Sequence, residues 1–152
     1  VKRGSIEYFI CLAAELHQGQ VDKAGEPYVL HPIRVAFKYD LKTLEERVLG
    51  LLHDALEDTI LAEKKMVAVN KIRKLGFSSE FASAWDLLTK KKSKSYKQYI
   101  RAIGKSDLAT KVKLADLFDN SDEERLSRLD KKTAKRLRKK YDWALKELGW
   151  IW

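Results

Sequence analysis

Apolar residues recur three and four positions apart along almost the whole chain, the spacing that puts them on one face of an α-helix. Ser5 is placed to cap a first helix whose stripe is Tyr8, Phe9, Leu12, Ala13 and Leu16. Gly19, Gly25 and Pro27 then force an irregular loop, and Pro32 suits the first turn of a second helix carrying Ile33, Val35, Ala36 and Phe37. Thr43 with Glu46 three residues on is a capping box, opening a third helix through Val48, Leu49, Leu51, Leu52, Ala55 and Leu56. A fourth is predicted from about residue 61 to residue 75, stopped by Gly76. Ser78 or Ser79 starts a fifth with Phe81, Ala82, Trp85 and Leu88. After a lysine- and serine-rich loop at 90–95, a short helix over 96–103 ends near Gly104. Ser106 caps the next, which carries Val112, Leu114, Ala115, Leu117 and Phe118. A last helix, over about 133–148, packs through Leu137, Tyr141, Ala144 and Leu145. No segment has the alternation of a strand, and no repeat or linker divides the chain. The expectation is an all-α, single-domain helical bundle over residues 1–152.

Composition sharpens this picture in three places. A chain of 152 residues fits one domain with a real core. No apolar run approaches the roughly 18 residues of a membrane span, and no secretory signal is evident, so no membrane partner is expected. The lone cysteine, Cys11, reads as a reduced core residue in a cytoplasmic protein. The formal charge of +9 gathers in the last helix, where Lys131, Lys132, Lys135, Arg136, Arg138, Lys139 and Lys140 face no acid. Such a surface attracts phosphates, although a solvated helix face is the plainer reading of a charge run.

Candidate chemistry lies in three stretches. In 51–58 the apolar residues mark a core helix, while His53, Asp54, Glu57 and Asp58 crowd one edge of it at i, i+4 spacing. Carboxylates so close repel one another unless something positive sits among them, and a divalent cation would supply that charge. A solvated face with an incidental histidine is the alternative. In 113–120, Lys113, Asp116 and Asn120 form a polar stripe opposite Leu114, Leu117 and Phe118. A buried Lys113–Asp116 salt bridge is the bland account of that stripe. His31 stands before Pro32 at a helix entrance, where a histidine more often caps or packs than ligates. Together, two histidines and two aspartates from three helices make a nitrogen/oxygen set suited to a borderline or hard divalent ion, unlike the thiolate-rich set of structural zinc. Such an ion lowers the pKa of water and polarises a phosphoryl oxygen, with Glu57 and Asp58 placed to handle the proton.

The order His31-Pro32, His53-Asp54 with Glu57-Asp58, then Asp116 and Asn120, resembles the HD hydrolase domain of bifunctional Rel/SpoT enzymes. It is closer still to the stand-alone small alarmone hydrolases. The match runs over about 13–120 and includes His17-x-Gly19-Gln20, residues 22–28, 51–59 and 88–90, and 113–120. The resemblance implies a helical HD bundle using a divalent metal, usually manganese, that removes pyrophosphate from the ribose 3′ position of ppGpp or pppGpp. Carried across, the metal ligands are His31, His53, Asp54 and Asp116, and the catalytic acids are Glu57 and Asp58. Lys23 and Asn120 face the nucleotide, Lys113 helps draw it in, and Tyr141 resembles a pocket tyrosine. A core role for Tyr141 beside Trp143 is the alternative.

The chain also departs from that pattern. Nothing is left over to form a synthetase domain. Asp22 stands where those hydrolases carry an arginine that packs against the purine base, and a carboxylate offers no cationic plane. Ser121-Asp122-Glu123 replaces a Met-Arg-Thr-like segment. The reaction type is therefore better supported than the substrate. Two other readings stand beside it: hydrolysis of a different phosphorylated nucleotide, and a non-catalytic nucleic-acid or nucleotide-binding module built on the basic helix. The last leaves the His and Asp set unexplained.

Overall fold

The computed structural model describes residues 2–57, 70 and 72–150. Eight helices stand among these: α1 (Ile6–Leu16), α2 (Leu30–Lys38), α3 (Leu44–Leu52), α4 (Ser79–Leu88), α5 (Tyr96–Ile103), α6 (Asp107–Asn120), α7 (Glu123–Ser127) and α8 (Lys131–Glu147). The expected all-α architecture holds. Within the described residues, the only β pairing is an isolated antiparallel bridge between Val21 and Pro27. None of these helices is long and apolar enough to cross a membrane.

Local chemistry starts the helices where the pattern places them. The hydroxyls of Ser5, Ser78, Ser95 and Ser106 accept the backbone N–H three residues on. The Thr43–Glu46 box closes in both directions, and Ser95 with Gln98 forms a second one. Helix α8 begins two residues earlier than the apolar pattern suggests, because the Asp130 side chain accepts the Thr133 N–H and caps it. Helix α7, capped by Asp122, was not expected at all. The predicted fourth helix falls mostly outside the described residues. Residues 70, 72 and 73 are helical, and Gly76 follows with φ +77°.

Two expectations need correction. Cys11 is exposed, because α1 buries Phe9, Ala13 and Leu16, and a residue two positions after Phe9 points away from that face. Phe37 is also largely exposed, and the Arg47 guanidinium covers its ring at 5.5 Å.

The core is built around α6, which lies against α2, α3, α4, α5 and α8. Phe9, Leu49, Leu52, Phe81, Leu88, Ile100, Ile103 and Leu117 are buried in it. Helices α2 and α3 pack closely, and Gly50 permits it. A Cβ there would sit 2.9 Å from Leu41 Cδ1 and 3.1 Å from Ala36 Cα. Glycine weakens a helix interior by roughly 0.5–1 kcal/mol relative to alanine, so its presence here reflects the close approach.

Candidate functional site

Helix α3 ends at Leu52, short of the polar cluster expected along its edge. Residues 53–57 form tight turns, with Ala55 N–H bonded to Leu52 O and Glu57 N–H to Asp54 O. Two side chains explain the stop. His53 Nδ1 lies 2.8 Å from Gly50 O, and the Trp85 indole N–H donates to Leu52 O at 3.0 Å. Both take carbonyls that would otherwise be open to the next helical turn. The i, i+4 edge is therefore replaced by a turn that presents His53 and Asp54 together.

The ring of His53 faces that of His31 across the α2–α3 crossing, with centroids 5.2 Å apart. Asp54 and Asp116 lie beside both imidazoles. Asp116 Oδ1 is 3.1 Å from His31 Nε2 and 3.4 Å from His53 Nε2. Asp54 Oδ2 is 3.7 Å and 3.1 Å from the same two atoms. His31, His53 and Asp54 can each present a ligand atom within 4.8 Å of the others, and Asp116 joins through its distances to both rings. Neighbouring ligands of one divalent ion stand about 3 Å apart when metal–ligand bonds are about 2.1 Å, so this spacing fits a single ion. The tautomers fit as well. His31 Nδ1 is 2.8 Å from Asp119 Oδ2, and His53 Nδ1 is spent on Gly50 O, which leaves both Nε2 atoms facing the carboxylates. His53 Nε2 is buried without a hydrogen bond among the described residues, an orphan that a cation would satisfy.

The electrostatics tie the two imidazoles to the carboxylates around them. Burial alone would lower the His53 imidazole, but Asp54 and Asp116 outweigh it and raise it well above its ordinary range. His31 is raised in the same way against its burial, by Asp116 and Asp119. Burial likewise opposes ionisation of Asp116, yet Lys113 and the two imidazoles hold its carboxyl well below the usual range. Asp54 is lowered too, against burial, chiefly by His53. Lys113 is buried, with Nζ 2.7 Å from Asp116 Oδ2 and 5.1 Å from the Tyr99 ring centre. The salt bridge that the spacing left open is thus formed, and Lys113 neutralises the outer oxygen of Asp116. Asn120 Nδ2 donates to Asp116 Oδ1 at 2.6 Å, and the Tyr28 hydroxyl donates to Asp54 Oδ2.

Tyr28 and Asn120 also line a cleft of about 360 Å³, together with Lys23, Arg125, Leu137 and Tyr141. The expected pocket residues Lys23, Asn120 and Tyr141 therefore share one wall system, beside the four expected metal ligands. Burial and the nearby cations Lys113, Lys23 and Arg136 hold Lys140 below its ordinary range, so positive charge converges here. Glu57 is half-buried in the turn after Asp54, and Asp58 lies outside the described residues.

Asp119 and Arg125 did not stand out in the sequence. Asp119 is fully buried and accepts from His31, from Arg34 twice (2.7 and 3.0 Å), from Tyr39 and from Arg125. Burial would raise its carboxyl, but His31 and Arg34 pull it down to about 2. A second acid three residues after Asp116 on the same helix was the available signal.

Among proteins of known sequence, a GTP pyrophosphokinase of Myxococcus xanthus is 32% identical over 143 residues, 80% of this chain. A guanosine-3′,5′-bis(diphosphate) 3′-pyrophosphohydrolase of Borreliella burgdorferi is 37% identical over 94 residues, 59% of the chain. A protein of the same description from Aquifex aeolicus is 33% identical over 122 residues, 71% of the chain. The matches take in 18%, 13% and 16% of those proteins, so the chain spans under a fifth of these curated relatives. A solved structure of a metazoan ortholog of SpoT, described as hydrolysing ppGpp, shares the fold. Its TM-score is 0.65 over 99% of this chain and 98% of that one, at 22% identity. No family model matches the chain.

Proposed function

This chain belongs with the Rel/SpoT-related HD proteins, and from that premise we propose that it hydrolyses a nucleotide 3′-pyrophosphate, with guanosine 3′,5′-bis(diphosphate) as substrate. The observation that carries the proposal is the convergence of two imidazole nitrogens and two carboxylates on one buried point beside a basic cleft.

His31, His53, Asp54 and Asp116 would hold a divalent ion, with manganese suited to this mixed set. When bound, that ion supplies Lewis-acid polarisation of a phosphoryl oxygen and makes water acidic enough to attack near neutral pH. The remaining work belongs to side chains. Lys113 and Asn120 keep Asp116 ionised and oriented, and Asp119 fixes the ring of His31. Lys23, Asn120 and Tyr141 receive the nucleotide in the cleft, and the field of Lys140 and Arg136 draws its phosphates. Water attacks the phosphorus attached to the ribose 3′ oxygen and the P–O3′ bond breaks. The products are pyrophosphate and guanosine 5′-diphosphate. Glu57, with Asp58 next to it in sequence, takes the proton from the water and returns one to the leaving 3′ oxygen.

Asp22 favours a second reading, hydrolysis of another phosphorylated nucleotide. Its carboxylate accepts the N–H groups of Ala24 and Glu26 and pairs with Arg125, so it is committed within the protein. One experiment separates the readings: metal analysis of the purified chain, with pyrophosphate and phosphate release measured across a nucleotide panel in manganese. Equal amounts of pyrophosphate and guanosine 5′-diphosphate from ppGpp, lost on chelation, support the first. Release from another nucleotide while ppGpp stays intact supports the second, and no release from any of them rejects both.

A further inference from the structure

We propose that Arg125 is the specificity-determining residue of the cleft, offering the flat face of its guanidinium to the planar base of a nucleotide. The inference rests on the reading of the cleft as a nucleotide site. It is carried by how the two terminal nitrogens of Arg125 are held. Nη1 donates to Asp119 Oδ2 at 2.5 Å and leans on Asp119 O at 3.4 Å, while Nη2 donates to Asp22 Oδ2 at 3.1 Å. Both terminal nitrogens are thus held in the guanidinium plane, one by α6 and one by the loop before α2.

Neither partner is at liberty to let go. Asp22 Oδ1 is tied to the N–H groups of Ala24 at 2.8 Å and Glu26 at 3.0 Å, which fixes the carboxylate on its loop. Asp119 is fully buried and holds His31 and Arg34 as well. A guanidinium binds a phosphate through a fork of in-plane N–H groups, and here the terminal pair is already engaged by carboxylates. Two acids also offset its charge. With its terminal edge held by two carboxylates, Arg125 can give its face, the part of the group that packs on an aromatic ring.

The surroundings agree. The Arg125 side chain is 24% exposed and lines the cleft with Val21, Leu126, Leu129 and Leu137. Such apolar walls suit a base and do little for a polyphosphate. Tyr28 and Asn120, which bond the metal-site carboxylates, line the same cleft. A nucleotide with its scissile phosphate at the metal centre can therefore lay its other end against Arg125.

The test compares binding of guanosine 5′-diphosphate and inorganic pyrophosphate, by calorimetry, to the wild type, Arg125→Lys and Asp22→Asn. Lysine keeps the charge and removes the plane. Arg125→Lys is expected to weaken guanosine 5′-diphosphate about tenfold while pyrophosphate stays within about twofold. Asp22→Asn, which keeps Arg125 but loosens its grip, falls between. Equal weakening of both ligands would make Arg125 a phosphate anchor and overturn the proposal, as would unchanged guanosine 5′-diphosphate binding. If Arg125→Lys loses its helical circular dichroism, Asp22→Asn decides by the same two-ligand criterion. Should the wild type cleave no nucleotide while base-dependent binding still requires Arg125, the proposed reaction fails and this inference stands. Turnover of ppGpp with binding indifferent to Arg125→Lys is the reverse.

Discussion

The proposed metal centre and the cleft beside it are built on opposite principles. In the centre nearly every polar side chain is buried and held by more than one partner. Asp116 is gripped by Lys113, Asn120 and the two imidazoles, and Asp119 by four side chains. The cleft is walled by a loop, the short helix α7 and Leu137 and Tyr141 of α8, and the ion pair that joins α7 to α8 faces water. Arg138 bonds Glu123 twice, yet both side chains are exposed. Over-determined geometry suits chemistry that cannot tolerate misplacement. A wall whose two helices are joined by a solvent-exposed pair suits a surface that decides which ligand enters. The centre should therefore fail sharply when touched, and the cleft should respond by degrees.

The largest effect is expected from His53→Ala. It removes one ligand and should abolish metal retention and turnover together, with helix content largely kept. Metal analysis with circular dichroism checks it, and normal turnover in metal-depleted His53→Ala would sink the assignment of the centre. Asp119→Asn comes next. It touches no proposed substrate but loosens His31, and about a 10–100-fold loss of metal affinity is expected, read by titration against a chelator. Affinity equal to wild type would show that His31 is oriented without Asp119.

A smaller effect concerns the frame of the centre. Glu46 caps α3 and pairs with Lys111 of α6 at 2.7 Å, joining the two segments that bring His53 and Asp116 together. Burial opposes its ionisation, but Lys111 and the N–H groups of Lys42 and Thr43 outweigh it and lower its carboxyl below the ordinary 4.5. The unfolded chain thus takes up a proton first as pH falls. The stabilisation is fully present above pH 4.5 and is lost as pH drops through the lowered folded value. The Tm difference between wild type and Glu46→Gln should be open at pH 7 and close below pH 4.5, and a constant gap would contradict the assignment. The smallest effect belongs to the cleft side. Glu123→Gln should leave Tm unchanged within error despite the two bonds to Arg138, because water screens the pair. A clear drop would erase the contrast between the two regions.

Much of this was legible in the chain itself, and the reason is range. Caps and stripes act within four residues, so Ser5, Thr43 with Glu46, Ser78 and Ser106 announced their helices. The four candidate ligands could be named because their order resembles that of the Rel/SpoT HD domains, with histidine and aspartate costly among apolar neighbours. What escaped depends on partners far along the chain. The end of α3 is set partly by Trp85, 33 residues from the carbonyl it bonds. Asp119 looks like a surface acid until His31 and Arg34, 88 and 85 residues away, are folded onto it. Arg125 sits on a helix too short to have a period. Asp22, read from sequence as the loss of a cation, turns out to hold one in place from 103 residues away.

Gly50 carries a consequence of another kind. It contributes a carbonyl to His53 and otherwise nothing but the absence of a side chain, and that absence lets α2 and α3 close until the two imidazole rings meet. The proposed reactivity depends on an empty volume at some remove from any reacting atom. A survey that ranked positions by the functional groups they carry would pass over it. A single methyl inserted there acts as a wedge, spreading the ligands like the leaves of a hinge while leaving every one of them in the sequence.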